Sequence, residues 1–335
     1  MDNALLLSFL SECELREQKF VLIGERFYSQ VYRASTIGRV IKIITSHRVL
    51  QSEGFRTKGE AIHFSGEIVT YMEKLAQLGV SVSPISETNI SIMGAKNTVE
   101  SFIVISTPDG GTSVEMLYEK AQSDASLREF SLEIINNLLP VLYQPKLING
   151  YSEVAIDPVP SNFTLAKGRM TYIDFTPPRY FSPDCGYRVE YPQPASQIEL
   201  HEAIWRYYEP CGILTRWLTD SCRIRPDGRN IFLDTLRESI SDELWKSLAS
   251  QLRSLSLPLH IQRLDWRNAI YEVNQLIDLR DMACAIAATD CFDLVSTKQW
   301  LKDFFIASRH HPGQSIPDDK LDTLKTLLLD RIESM

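Results

Sequence analysis

The chain predicts an α+β protein of two lobes: a small antiparallel β-sheet with one helix, followed by a larger and mainly helical part. Three observations carry this expectation. Between Phe20 and Ile44 three β-rich runs, FVLIG, QVYRAS and RVIKII, are broken by short polar turns that include Ile37-Gly38. The stretch GEIVTYMEKLAQLG then repeats Ile68, Met72 and Leu75 at helical spacing and ends on Gly79, a residue suited to a C-terminal cap. From Ile198 onward nearly everything reads as helix.

The elements between these landmarks follow the same logic. Strand candidates lie at Ile90 to Met93 and Ser101 to Ser106, the second running into TPDGG, a strong turn signal. The small lobe is therefore expected to occupy residues 1–107 and the helical lobe 108–335. Val114 to Leu142 has a helical pattern, and the segment AIDPVPSNFTLAKGRMTYIDFTPPR then supplies a loop and two short strands. Pro177 to Pro194 and His310 to Pro317 read as ordinary loops, and the chain carries no internal repeat or low-complexity tract.

Composition narrows the class of function. The 335 residues are 44% hydrophobic, enough for two cores of ordinary size. No uninterrupted apolar stretch, Phe102 to Ile105 and Leu327 to Leu329 among them, approaches the roughly 20 residues that span a bilayer, so no membrane anchor is expected. In MDNALLLSFLSECELREQ, Asp2 stands where a signal peptide carries positive charge, which predicts a cytoplasmic start. The six cysteines form no CxxC pair, which predicts buried free thiols in a reducing compartment and no zinc. A net charge of -8 argues against a nucleic-acid partner and suits a cationic substrate better.

The residues that bear chemistry sit in three places. Asp157 and Asn162 belong to DPVPSN, whose two prolines are expected to hold the loop extended, and Asp174 follows the strand-like MTYI just before Thr-Pro-Pro. Phosphoryl transfer asks for such a set: one carboxylate for the attacking hydroxyl, and an amide oxygen with a second carboxylate for magnesium on the phosphates. Upstream, Lys42 in RVIKI is placed to aim an ammonium at phosphate oxygens, and Glu67 is read as opening the helix and pairing with that lysine. Ahead of both, IGERFYSQVY sets Gly24, Arg26, Ser29 and Val31 at the spacing of the phosphate-covering turn G-x-G-x-x-G-x-V, with the second and third glycines replaced.

In this order the residues resemble the protein-kinase-like superfamily, and more the aminoglycoside phosphotransferase and choline kinase branch than the eukaryotic protein kinases. The resemblance covers roughly residues 20–235. It implies a two-lobed kinase-like fold and an ATP- or GTP-dependent, magnesium-requiring phosphotransferase acting on a hydroxyl of a small molecule. It further implies that Asp157 is the catalytic aspartate, Lys42 the phosphate lysine and Glu67 its helix partner. Asn162 and Asp174 become the metal ligands, the latter in a DFT turn, and Ile105, Ser106 and Thr107 fall in the hinge that meets the base.

The chain also departs from that pattern. Ala155-Ile156-Asp157 replaces the His-Gly-Asp usual in the small-molecule branch, and Val159 stands where serine/threonine kinases carry a lysine. Nothing after Asp174 resembles their Ala-Pro-Glu segment, which disfavours a protein acceptor. A catalytically inactive kinase-like scaffold and a protein-modifying enzyme are the alternatives. For the acceptor, Arg179, Glu202 and Glu209 are candidate contacts, beside Asp220, although charged residues on helices more often form a solvated face. Trp205, Tyr207 and Tyr208 read as core aromatics before pocket ones, and His310-His311 has no neighbouring ligand candidates.

Overall fold

A computed structural model describes residues 20–26, 29–34, 38–45, 58–93, 99–147, 150–184, 186–189, 197–254, 319, 322–323 and 325–326. Expectations for the amino-terminal run, for His310-His311 and for the helical pattern from 255 to 318 lie outside these residues. The described part is α+β, with a small antiparallel sheet and several helices. It divides into two units, the first from residues 1–114 and 161–193 and the second from 115–160 and 194–335, a division that differs from a single cut at residue 107.

In the first unit, strands β1 (Phe20–Arg26), β2 (Ser29–Ala34), β3 (Arg39–Thr45), β4 (Ser86–Met93) and β5 (Val99–Pro108) form one antiparallel sheet in the order β1-β2-β3-β5-β4. Alternation governs β3: Ile41 and Ile43 are buried, and Lys42 between them turns to the other face. Helix α1 (Lys58–Leu78) buries Ala61, Phe64, Ile68, Tyr71, Met72 and Leu75, a stripe at helical spacing. The large apolar side chains of this stripe, such as Phe64, Ile68, Met72 and Leu75, each contribute on the order of 1.5 to 3 kcal/mol by leaving water. Gly79 ends the helix with φ 100°, and Gly79 N and Val80 N donate to the Ala76 and Leu75 carbonyls at 3.0 Å each, as expected for a left-handed cap. The helix starts eight residues before the predicted stretch, so Glu67 lies in its middle instead of opening it.

A second sheet joins β6 (Thr112–Ser113), β7 (Phe163–Ala166) and β8 (Arg169–Tyr172), the last two linked by a Lys167-Gly168 turn with φ 51° and 73°. The β6–β7 pairing brings residues 161–193 into this unit, and Tyr172 N and O bond Ser81 O and Ser83 N at 2.8 and 3.2 Å. A short ribbon of β9 (Phe181–Ser182) and β10 (Gly186–Tyr187) follows.

The second unit contains α2 (Val114–Lys120, entering it at Glu115), α3 (Asp124–Leu142), α4 (Gln197–Tyr208), α5 (Pro210–Ile224), α6 (Arg229–Ser239) and α7 (Asp242–Ser254). The helical pattern read from Val114 to Leu142 is two helices, because Ser123 leaves helical geometry and its hydroxyl caps α3 by accepting from Ser126 N at 3.2 Å. The core gathers Tyr118, Trp217 and Phe232, with ring centroids 5.3 Å apart for Tyr118–Phe232 and 5.9 Å for Trp217–Phe232. The Tyr118 hydroxyl meets that of Ser131 at 3.1 Å, which satisfies the buried polar end of the ring. Among the described residues no helix is long and apolar enough to cross a membrane.

Candidate functional site

The sheet register places several predicted residues in one row. Gly24 lies opposite Val31, Val31 opposite Lys42, and Lys42 opposite Ile105, so four strands contribute one residue each to a line across the sheet. Directly opposed residues share a face. Arg26 pairs with Ser29 at the end of the β1–β2 ladder. Ser106 and Thr107 continue β5. Arg39 donates from Nε to the Ser106 hydroxyl at 2.5 Å and from Nη2 to its carbonyl at 3.3 Å, and Thr107 is buried.

Lys42 meets the segment that follows β8. Its Nζ is 3.7 Å from Asp174 Oδ1, donates to Thr176 Oγ1 at 2.6 Å, and stands 4.5 Å from the centre of the Phe175 ring. The other oxygen of Asp174, Oδ2, accepts from Arg179 Nη1 at 3.2 Å and lies 3.4 Å from Asn162 Nδ2. Asp174 is thus a carboxylate shared by two cations and an amide, while Thr176 N turns back to its Oδ1 at 3.4 Å. Backbone geometry sets this up: Pro160–Asn162 coils as a short 3-10 turn, and Asn162 O accepts from Ile173 N at 2.9 Å. The loop expected to stay extended through DPVPSN therefore turns at its second proline, whose fixed φ suits a helical first position.

Glu67 is engaged elsewhere. Its carboxylate pairs with Arg188 Nη1 and, at 2.9 Å, with His63 Nε2 one turn earlier on α1. The expected Lys42–Glu67 pair is not formed, since the lysine is drawn to Asp174 and the glutamate to an arginine supplied after β10. Arg188 also stands 5.8 Å from the Tyr180 ring centre, and Lys74 stands 5.9 Å from it.

In the helical unit, Asp157 is buried in the run Val154–Pro158, and Ile156 N donates to Tyr207 O at 3.3 Å. The Asp157 carboxylate faces Arg216 Nε of α5 at 3.5 Å. Arg216 also pairs with Asp220 at 3.3 Å. Burial opposes the charge on Arg216, yet the two carboxylates hold its guanidinium above an already high range.

The acceptor candidates fare unevenly. Glu209 caps α5, its Oε2 accepting from Cys211 N at 2.6 Å and Gly212 N at 3.2 Å. Glu202 lies on α4, and its side chain is outside what is described. Asp220, expected on a solvated face, is buried because two arginines compensate it. Tyr207 and Tyr208 are core residues, as expected. Thr176, Arg188 and Arg216 gave no signal in the sequence beyond the position of Thr176 in DFT. No protein-family model matches the chain, and no curated protein matches it.

Proposed function

We propose that the chain is a kinase-like phosphotransferase that moves the γ-phosphoryl group of ATP or GTP to a hydroxyl of a small molecule. The observation that carries this reading is the shared carboxylate of Asp174, with Lys42 3.7 Å away on one oxygen and Asn162 3.4 Å away on the other. Lys42 and Asn162, far apart in sequence and each singled out for phosphate or metal chemistry, converge on it. The strand order β1-β2-β3-β5-β4, with helix α1 between β3 and β4 and helices following the sheet in the chain, supports the same fold.

The donor set suits magnesium. Asp174 offers a carboxylate, and Asn162, whose Nδ2 faces that carboxylate, carries an amide oxygen on its other branch; both are hard ligands. Such a cation takes few protein ligands and completes its shell with phosphate oxygens and water. When bound, magnesium would neutralise phosphate charge and hold the triphosphate for in-line displacement. Lys42 and Arg179 orient phosphate oxygens by charge, and Gly24, Val31 and Ile105 form the row beside Lys42 on which the nucleotide rests. Asp157 positions the acceptor hydroxyl and takes its proton as the new oxygen–phosphorus bond forms; the γ-phosphorus bond to the bridging oxygen breaks and its electron pair leaves with the diphosphate.

One observation favours a second reading. Glu67 is held by Arg188 and His63 in place of Lys42, an arrangement suited to a scaffold that binds a nucleotide or partner without transfer. Titration of the full chain with ATP and magnesium, followed by incubation with γ-labelled ATP and a panel of amino alcohols, aminoglycosides and sugars, separates the two. Binding with label on an acceptor supports the enzyme, binding without transfer supports the scaffold, and no nucleotide binding removes the enzyme and leaves only a scaffold for a partner. Free thiols at Cys211 and Cys222 go with a reducing, cytoplasmic setting in this reading.

A further inference from the structure

Within the helical unit, charges alternate along a continuous chain: Asp157, Arg216, Asp220, Arg223, Glu115. Arg216 Nε stands 3.5 Å from Asp157 and 3.3 Å from Asp220. Arg223 Nε donates to the far oxygen of Asp220 at 3.3 Å, and its Nη2 lies 3.7 Å from Glu115. Arg216, Asp220 and Arg223 occupy one face of α5 at i, i+4 and i+7, so the helix presents the guanidinium from a rigid support. Asp157 and Asp220 are only 8% and 6% exposed, and the Arg216 guanidinium between them compensates both buried carboxylates.

The backbone beside Asp157 is tied to α4 through Ile156 N and Tyr207 O, and its carboxylate is tied to α5 through Arg216. Two helices therefore fix one acidic side chain, the backbone by one and the carboxylate rotamer by the other. Asp220 stops Arg216 from swinging away, and Arg223 holds the other oxygen of Asp220 in place. We infer that Arg216 is a positioning residue for Asp157, holding its carboxylate in one orientation for the acceptor hydroxyl, with Asp220 as the anchor of that arginine. This rests on the reading of Asp157 as the carboxylate that receives the acceptor's proton.

The test uses the full chain with ATP and magnesium, reading phosphate released to water or transferred to the amino alcohol, aminoglycoside and sugar panel. Arg216→Met is expected to lower kcat about 30-fold while the KM for ATP stays within about twofold, and Arg216→Lys to recover to within about fivefold of the native rate. Placed in an Asp157→Asn background, Arg216→Met should cost less than about twofold more, because its effect runs through the aspartate. Asp220→Asn, which leaves Arg216 in place but loosens it, should lower kcat about threefold to tenfold and serves if Arg216→Met does not fold. An unchanged kcat in Arg216→Met or Asp220→Asn, or an equal loss with and without Asp157, overturns the inference alone. A native chain that transfers phosphate to nothing overturns the phosphotransferase reading and this inference with it.

Discussion

Glu67 and Arg188 form an ion pair across 121 positions of sequence, joining the middle of the α1 helix to the segment after β10. Both are largely shielded from water, with side-chain exposures of 8% and 18%, so the pair stands on mutual compensation. Glu67→Ala removes one partner and leaves the arginine charge poorly compensated, and is expected to cost about 3 kcal/mol of unfolding free energy. Replacing both, as Glu67→Leu with Arg188→Met, should recover most of it. Urea denaturation reads this directly, and a single-variant loss below about 1 kcal/mol would show that the pair is merely a surface contact.

The Asp174 cluster makes a sharper functional prediction. Asp174→Ala deletes the carboxylate shared by Lys42, Arg179 and Asn162 and should abolish magnesium-dependent nucleotide binding, a loss of about 100-fold or more. Calorimetric titration with ATP in the presence of magnesium and of a chelator is the measurement. Equal affinity in the two buffers for the native chain would refute a metal role for this residue.

Asp157→Ala should behave in the opposite way. Turnover is expected to fall about 1,000-fold or more with nucleotide affinity nearly unchanged, since a group that positions the acceptor contributes to the transfer step and little to ground-state binding of ATP. A matching loss of nucleotide affinity would show that the residue belongs to the phosphate site itself.

Helix α5 begins against the end of α4 with no space to spare. A Cβ on Gly212 would overlap the Trp205 carbonyl and come within 3.1 Å of Arg206 Cα, all backbone atoms that cannot swing aside. Gly212→Ala is therefore expected to destabilise by about 2 kcal/mol or more through overpacking. Thermal unfolding of the variant gives the answer, and a midpoint within about 1 °C of the native chain would mean that the two helices move apart freely.

Alkaline pH should weaken the folded chain. Burial pushes the Cys211 thiol from an ordinary 9.0 up to about 12, with the Glu209 charge adding to the rise. Burial likewise raises the Tyr118 phenol above its ordinary range. Each proton is retained when folded and released earlier when unfolded, so stability is full below about pH 9 and declines as pH climbs toward 12. The slope approaches ~1.4 kcal/mol per pH unit for each group. Urea midpoints at about pH 8.5 and about pH 10.5 should show the decline, and Cys211→Ala should make it shallower. A flat profile would mean that these groups are not shielded.

Local pattern alone determined much of this protein. Alternation in RVIKII announces a strand with Lys42 facing away from Ile41 and Ile43, and the spacing of Ile68, Met72 and Leu75 announces a helix capped at Gly79, because side-chain direction follows directly from the 2.0 and 3.6 residue periods. The two short strands after the DPVPSN loop and the chemical character of Asp157, Asn162 and Asp174 were legible because strand propensity and donor chemistry belong to the residues themselves, whereas the tight pairing of β7 with β8 came from the fold. What only the tertiary structure decided was partnership. Strand register put Gly24, Val31, Lys42 and Ile105 in one line, and the fold gave Lys42 to Asp174, Glu67 to Arg188 and Asp157 to Arg216. Several acids and arginines compete for each charge with nearly equal Coulomb energy, so the winner is set by which side chains the packed backbone brings within a few ångströms, a distance that sequence spacing does not encode.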